Sequence, residues 1–427
     1  MSTAVTEGET HSVAEPDLLG DLKIIDCDAH FTEPPDLWTS RAPRSMREKV
    51  PVLRTIDGFT GWHLNGELWA GCGGNTIELG REKVRGLFTL QPFDRVDPSS
   101  WLPEERLKLM DEMGIHAQII YPNGIGFTSN HIFAIDDPKQ RIAILRMYND
   151  FLVDVQEMSN ERLFPQAILP IWDMQLTIDE MERLLAKDIR GFTLSDRPEL
   201  LGLPELPEAY FDPMWDLFSA SSAVANFHIG SGNRREDRAA SMEARRRLQR
   251  GEKLSQASTP PAVAPKAWSS HGVQRRVSVE AAQNYVSNIR IIVNLCMSNL
   301  FDRFPNLKIV SAESGIGWVP FMMEALEYQF DEMVVGSNEV SATERRPSEY
   351  FKDHLYVMFW FEKHAPSSFL EAVGINNVLV ETDVPHPTCL FPKPREHFAK
   401  VLVNVSPHAR QRILQDNAAE LYRIPLG

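Results

Sequence analysis

Short apolar and β-branched runs recur along the chain, each bounded by turn-forming residues. Eight can be counted: Lys23–Asp28, Ala117–Tyr121, Pro165–Ile171, Ile189–Leu194, Ala223–His228, Leu307–Glu313, His354–Trp360 and Asn377–Asp383. Between most of them lie stretches with helical spacing of apolar positions. Pro103–Met113 opens on proline and stops at Gly114, the start and stop chemistry of a helix. Pro138–Met158, Trp318–Met333 and Ala409–Tyr422 are further amphipathic candidates, and Thr177-x-x-Glu180 reads as a capping box before MERLLAK. Strand–helix alternation predicts a parallel sheet. Near-continuous apolar strands fit burial on both faces. Eight such units predict a single (β/α)8 TIM barrel of the α/β class, and no GxGxxG turn follows the first strand to favour a dinucleotide fold.

Two stretches are too long for simple barrel connections: about 51–90, rich in Gly and Trp, and about 230–286, with an Arg-rich piece and the segment STPPAVAPKAWSS. Both leave the carboxyl ends of strands, so they read as inserted lid loops over a barrel mouth. Trp62, His63 and Trp69 are placed to cover a substrate, but the two tryptophans read more readily as anchors of the first insertion, and Arg245–Arg247 as a solvated helix face. Residues 1–20 are polar and aperiodic and read as a flexible tail ahead of a barrel spanning 21–427.

Charge narrows the partners. Forty-four basic against 59 acidic residues give a formal charge of −15, which argues against nucleic acid or an anionic membrane. The N-terminus lacks the pattern of a secretory signal, no apolar run is long enough to span a bilayer, and the four cysteines show no CxxC spacing. A cytoplasmic protein is the simplest expectation.

The candidate chemistry lies where ionisable residues fall on the eight runs. The first ends in Asp28-Ala29-His30, whose spacing of two puts both side chains on one strand face. The fifth ends in His228, the sixth in Glu313, and the eighth in Asp383, with His386 three residues beyond. Singly, each has an ordinary structural reading, such as a helix cap or a satisfied core histidine. Together they put imidazoles and carboxylates, the usual ligands of divalent metals, at one barrel mouth. Asp383 and Glu313 are also candidates for proton transfer, and His386 for substrate contact. Glu33 is placed to orient His30 or cap a loop. Strand alternation turns Cys27 away from Asp28 and His30.

The segments IIDCDAHFTEPPDLW, NDFL, NFHIG, FDRFPNLKIVSAESGIGWVPF, ETDVPHP and DNAAELY occur in this order from Lys23 to Ile424. In them the chain resembles the amidohydrolase superfamily, specifically the branch containing aminocarboxymuconate semialdehyde decarboxylase and aromatic-acid decarboxylases. The resemblance implies metal ligation by Asp28, His30, His228 and Asp383, with Zn or Mn by default and one or two ions. Two positions depart from the family pattern: Asp28 replaces the first histidine of a common His-x-His, and Glu313 replaces the usual sixth-strand histidine. The carboxylate-rich set suits harder ions and keeps Fe open. The expected function is non-oxidative decarboxylation of a small aromatic or unsaturated carboxylic acid. The alternatives are hydrolysis of an amide, lactone or ester, O2-dependent hydroxylation at a two-metal Mn/Fe or diiron site, and a non-catalytic scaffold role beside a paralogue. A homo-oligomer is the default assembly, and a hetero-oligomer with a paralogue is the other.

Overall fold

The computed structural model describes residues 18–85, 93–232 and 273–427. Most of the polar opening stretch, the Arg245–Arg247 run and the Pro/Ala/Ser segment lie outside the described residues. The eight strands expected from the apolar runs are present: Ile25–Phe31, Ala117–Pro122, Leu163–Ile168, Gly191–Thr193, Val224–His228, Lys308–Ala312, Leu355–Phe359 and Val378–Val380. Each pairs in parallel with the next and the first closes on the eighth, so the sheet is a closed barrel. The near-continuous hydrophobicity of the runs has its physical cause here, because both strand faces are covered. One face fills the barrel interior with Ile25, Ile119, Phe164, Val310 and Met358, closed by Tyr422 and its neighbours. The other packs under the helices through residues such as Ala29, Ile120, Phe227 and Val380.

Helices Pro103–Met113 and Pro138–Met158 have the expected bounds, and Gly114 ends the first in the left-handed region at φ 70°. The capping box is a correction. Helix Met174–Leu185 starts four residues earlier, capped by Asp173, whose side chain accepts the Leu176 N–H at 3.0 Å. Thr177 and Glu180 are buried inside that helix, and Glu180 accepts from Asn149 Nδ2 at 2.8 Å. Asn149 also donates to Ile168 O at 3.0 Å, tying the long helix to the third strand. Asn417 does the same for the C-terminal helix, donating to Val378 O at 2.8 Å.

The first insertion is not a loop. It holds a three-stranded antiparallel sheet (Val52–Ile56, Phe59–Leu64, Glu67–Gly71) and a two-stranded ribbon, Ile77–Glu78 with Glu82–Lys83. Asp57-Gly58 and Asn65-Gly66 make its two tight turns, all four residues at positive φ. Trp62 is buried edge-on against Trp38 at 4.7 Å, and Trp69 packs on the same ring at 5.8 Å, so the sheet is anchored to the barrel by tryptophans. Among the described residues no helix is long and apolar enough to cross a membrane.

Candidate metal centre

Asp28 and His30 lie within the first strand, and His228 is the last residue of the fifth. Pairing between the first two strands slips by one residue between Asp26 and Ala29. This bulge breaks the two-residue alternation, so Cys27 joins the barrel interior below the site, where alternation alone turns it away. Glu313 and Asp383 do not end their strands as expected; they stand one and three residues beyond, after Ala312 and Val380. Both adopt left-handed backbone, φ 51° and 59°, which an extended strand cannot contain. Their amides are held in place: Glu313 N–H donates to Glu381 Oε2 at 3.1 Å, and Asp383 N–H to Asp28 O at 2.8 Å.

These residues converge. His228 Nε2 lies 3.2 Å from Asp28 Oδ2 and 3.5 Å from Glu313 Oε2. His30 Nε2 lies 3.5 Å from Asp28 Oδ1 and 3.6 Å from Asp383 Oδ1. Nδ1 of His30 meets Pro122 O at 2.9 Å, and Nδ1 of His228 meets Ile229 O at 2.8 Å. A carbonyl oxygen only accepts, so each Nδ1 carries a proton, and in the neutral ring each Nε2 presents a lone pair. The two Nε2 atoms face each other at 3.3 Å, a separation that calls for a proton or a cation between them. Both oxygens of Asp28 and Oδ1 of Asp383 are buried and accept no well-aligned hydrogen bond. Imidazole nitrogens and buried carboxylate oxygens brought this close fit a divalent cation. Two overlapping groups can hold one: Asp28, His30, His228 and Glu313, and His30, Glu313, Asp383 and His386.

The electrostatics agree. Burial raises the carboxyl groups of Asp28, Glu313 and Glu381, and for Glu313 and Glu381 the neighbouring acids raise them further. Burial, with His386 and His228 nearby, lowers His30 well below its ordinary value. Burial also works against a charged His228, but Asp28 beside it more than offsets this and the net shift is upward. Asp28, His30, His228 and Asp383 are fully buried; Glu313 is 8% exposed and the His386 side chain 13%. The edge that solvent touches is therefore the Glu313–His386 edge.

His386 stacks on His30 at 3.7 Å, with Nδ1 2.7 Å from Asp383 Oδ1 and Nε2 3.3 Å from Asn123 Oδ1. Glu33 does not touch His30. It accepts the amides of Asn123, Gly124 and Ile125, 2.8 Å at the shortest, and so shapes the loop after the second strand. Several neighbours carried no clear signal in the sequence. Phe127 covers His228 at 3.9 Å. Thr388 donates to Asp383 Oδ2 at 2.9 Å. Tyr285 packs on Trp360 at 5.1 Å and Phe361 at 5.3 Å, just beyond the seventh strand. Asp26, pushed up by burial to about 7, accepts from Thr382 and Gln118 and braces the eighth-strand end. Glu381 was open to detection, since it precedes Asp383 by two, the same spacing that singled out Asp28 and His30.

A barrel whose strand ends gather imidazoles and carboxylates defines the class, and the sequence match makes it specific. The family model described as Amidohydrolase matches residues 25–424, so the chain belongs to the amidohydrolase family. No curated protein matches the sequence significantly. Among solved structures, an amidohydrolase from Mycobacterium avium subsp. paratuberculosis is 16% identical, with 95% of this chain and 99% of that one covered and a TM-score of 0.65. A dihydroxybenzoic acid decarboxylase from Polaromonas sp. JS666, solved with manganese and the inhibitor 2-nitroresorcinol, is 18% identical over 94% and 97%, TM-score 0.56. The 5-carboxyvanillate decarboxylase of Sphingomonas paucimobilis is 17% identical over 95% and 100%, TM-score 0.57. At these identities the likeness is one of fold.

Proposed function

We propose that the chain is a metal-dependent, non-oxidative decarboxylase of a small aromatic or unsaturated carboxylic acid. The observation that carries this reading is the pair of Nε2 atoms 3.3 Å apart, ringed by buried carboxylate oxygens of Asp28 and Asp383. Asp28, His30, His228 and Asp383 are the ligands in this account, with Zn or Mn the default ions and Fe compatible with the oxygen-rich set. A divalent ion bound there supplies a localised positive charge that binds a carboxylate or a neighbouring hydroxyl.

The chain's own residues do the rest. Glu313 borders the solvent-touched edge, and burial with the nearby Asp383 and Asp28 charges favours its protonated form. It gives that proton to the substrate carbon bearing the carboxylate. The C–C bond then breaks, CO2 leaves, its bonding pair returns to the substrate, and Glu313 regains a proton from solvent. Asp383 Oδ2 is fixed by Thr388, leaving Oδ1 directed at His30 and His386. His386, on the same edge, contacts the substrate and shields the Asp383 carboxylate.

The fold neighbours named for dihydroxybenzoate and carboxyvanillate decarboxylation support the aromatic-acid class. Anaerobic incubation with such acids is the test: CO2 release without O2 supports the reading, while incorporation of 18O from water into product would instead indicate hydrolysis. One observation favours a second reading, a two-metal O2-dependent hydroxylase: the two ligand groups overlap at Glu313, and a carboxylate has two oxygens with which to serve adjacent ions. Two ions per chain including Fe, together with O2 consumption, would select it. A scaffold role predicts that Asp383→Asn leaves the assembly's turnover unchanged. The remaining elements of the proposal are a cytoplasmic setting and a homo-oligomeric assembly.

A further inference from the structure

His386 follows the eighth strand, yet its ring is held from elsewhere in the chain. One face stacks on His30 at 3.7 Å, and Nδ1 lies 2.7 Å from Asp383 Oδ1. Nε2 lies 3.3 Å from Oδ1 of Asn123, in the loop after the second strand. The Asn123 amide is itself fixed. Its Nδ2 donates to Thr32 Oγ1 at 2.9 Å and to Gly74 O at 3.1 Å. A carbonyl oxygen only accepts, so the amide nitrogen faces Gly74 and the amide oxygen is left to accept from His386 Nε2. The Asn123 backbone N–H donates to Glu33 Oε1 at 3.3 Å.

The first insertion closes this clamp with Gly73-Gly74, between its sheet and its ribbon. A Cβ on Gly73 would lie 2.1 Å from Asn123 Oδ1, and φ there is +83°, so the position needs glycine. A Cβ on Gly74 would lie 3.1 Å from His386 Cδ2, at the edge of the ring. Thr76 N–H donates to Pro385 O at 2.8 Å and ties the same segment to the residue before His386. The insertion expected as a lid thus supports the site from the side.

We propose that Asn123 is a positioning residue: seated by Gly73-Gly74 of the first insertion, it holds His386 in the one orientation in which that ring meets the substrate. The substrate contact rests on the decarboxylase reading, whereas the clamp does not. Without Asn123 the imidazole keeps its stack on His30 but loses the partner at its outer nitrogen, and its side-chain torsions regain freedom. Ordering the ring again on binding then costs affinity.

The test is NMR of the zinc-loaded full chain carrying 15N-labelled histidine, with the His386 ring signals assigned by their loss in His386→Ala. The wild type is expected to show a slowly exchanging, hydrogen-bonded Nε2–H on His386, and Asn123→Ala to abolish it with zinc content unchanged. Asn123→Ser, too short to reach the ring, replaces the alanine variant should that one not fold. Calorimetric titration with 2-hydroxybenzoate then asks whether Asn123 acts through His386. Each single variant should weaken binding by about fivefold, the scale of one hydrogen bond. The double variant should lose no more than His386→Ala alone. A His386 signal that is missing from the wild type or indifferent to Asn123, or losses that add in the double variant, overturns the proposal. An Asn123-dependent signal in a wild type that binds no 2-hydroxybenzoate upholds the clamp and sinks the aromatic-acid reading.

Discussion

At Glu313 the side chain and the backbone answer to different neighbours. The carboxyl lies 3.5 Å from His228, and the amide is held by Glu381 in left-handed backbone. That separation lets the two roles open to Glu313, ligand and proton donor, be told apart. In this account Glu313→Gln keeps its metal near the wild-type level and loses turnover by on the order of 100-fold or more. Parallel loss of metal would make Glu313 a ligand and favour the two-ion reading. The site's main residues were legible because each falls on or beside an apolar run, where strand geometry brings distant positions together. Cys27 was misjudged because a bulge is one extra residue, which period-two arithmetic cannot see. Tyr285 was not legible at all: it enters from an insertion, and nothing periodic ties it to the seventh strand.

Among the elements, the barrel strands announced themselves because burial on both faces leaves no polar alternation to confuse. The first insertion hid for the opposite reason. It reads as a long Gly- and Trp-rich loop, although Asp57-Gly58 and Asn65-Gly66 are hairpin signals in their own right. The residues between its sheet and its ribbon pack against the site, for a Cβ on Gly74 would lie 3.1 Å from His386, and Gly73 at φ +83° abuts Asn123. Glu33 fixes the facing loop by accepting three amides there. Glu33→Ala leaves these donors without a partner and should destabilise the fold by about 1–3 kcal/mol in urea unfolding, with metal content retained. A neutral result would mean that water replaces the carboxylate and that the loop is not held by it.

For the molecule as a whole, the cost of gathering buried acids should show in its stability without metal. Asp26 rises from 3.8 to about 7, and Asp28, Glu313 and Glu381 are raised as well. The folded state therefore holds more protons than the unfolded state above the ordinary carboxyl range, and stability falls as pH rises through the raised values. His228, also raised, acts in the same direction. His30, lowered, opposes it only below its ordinary 6.5. Between pH 6.5 and 8.5 the chelator-treated protein should thus melt at progressively lower temperature, and added Mn or Zn should flatten the trend. A melting temperature that climbs over this window without metal would contradict the buried-acid account.

The most direct test is elemental analysis of protein purified without chelator or added metal, run beside Asp28→Asn and His228→Ala. About one divalent ion per wild-type chain is expected, and a small fraction of that in both variants, each still folded by circular dichroism. A metal-free wild type with its fold intact, or variants that keep the full complement, would contradict the centre built on Asp28, His30, His228 and Asp383.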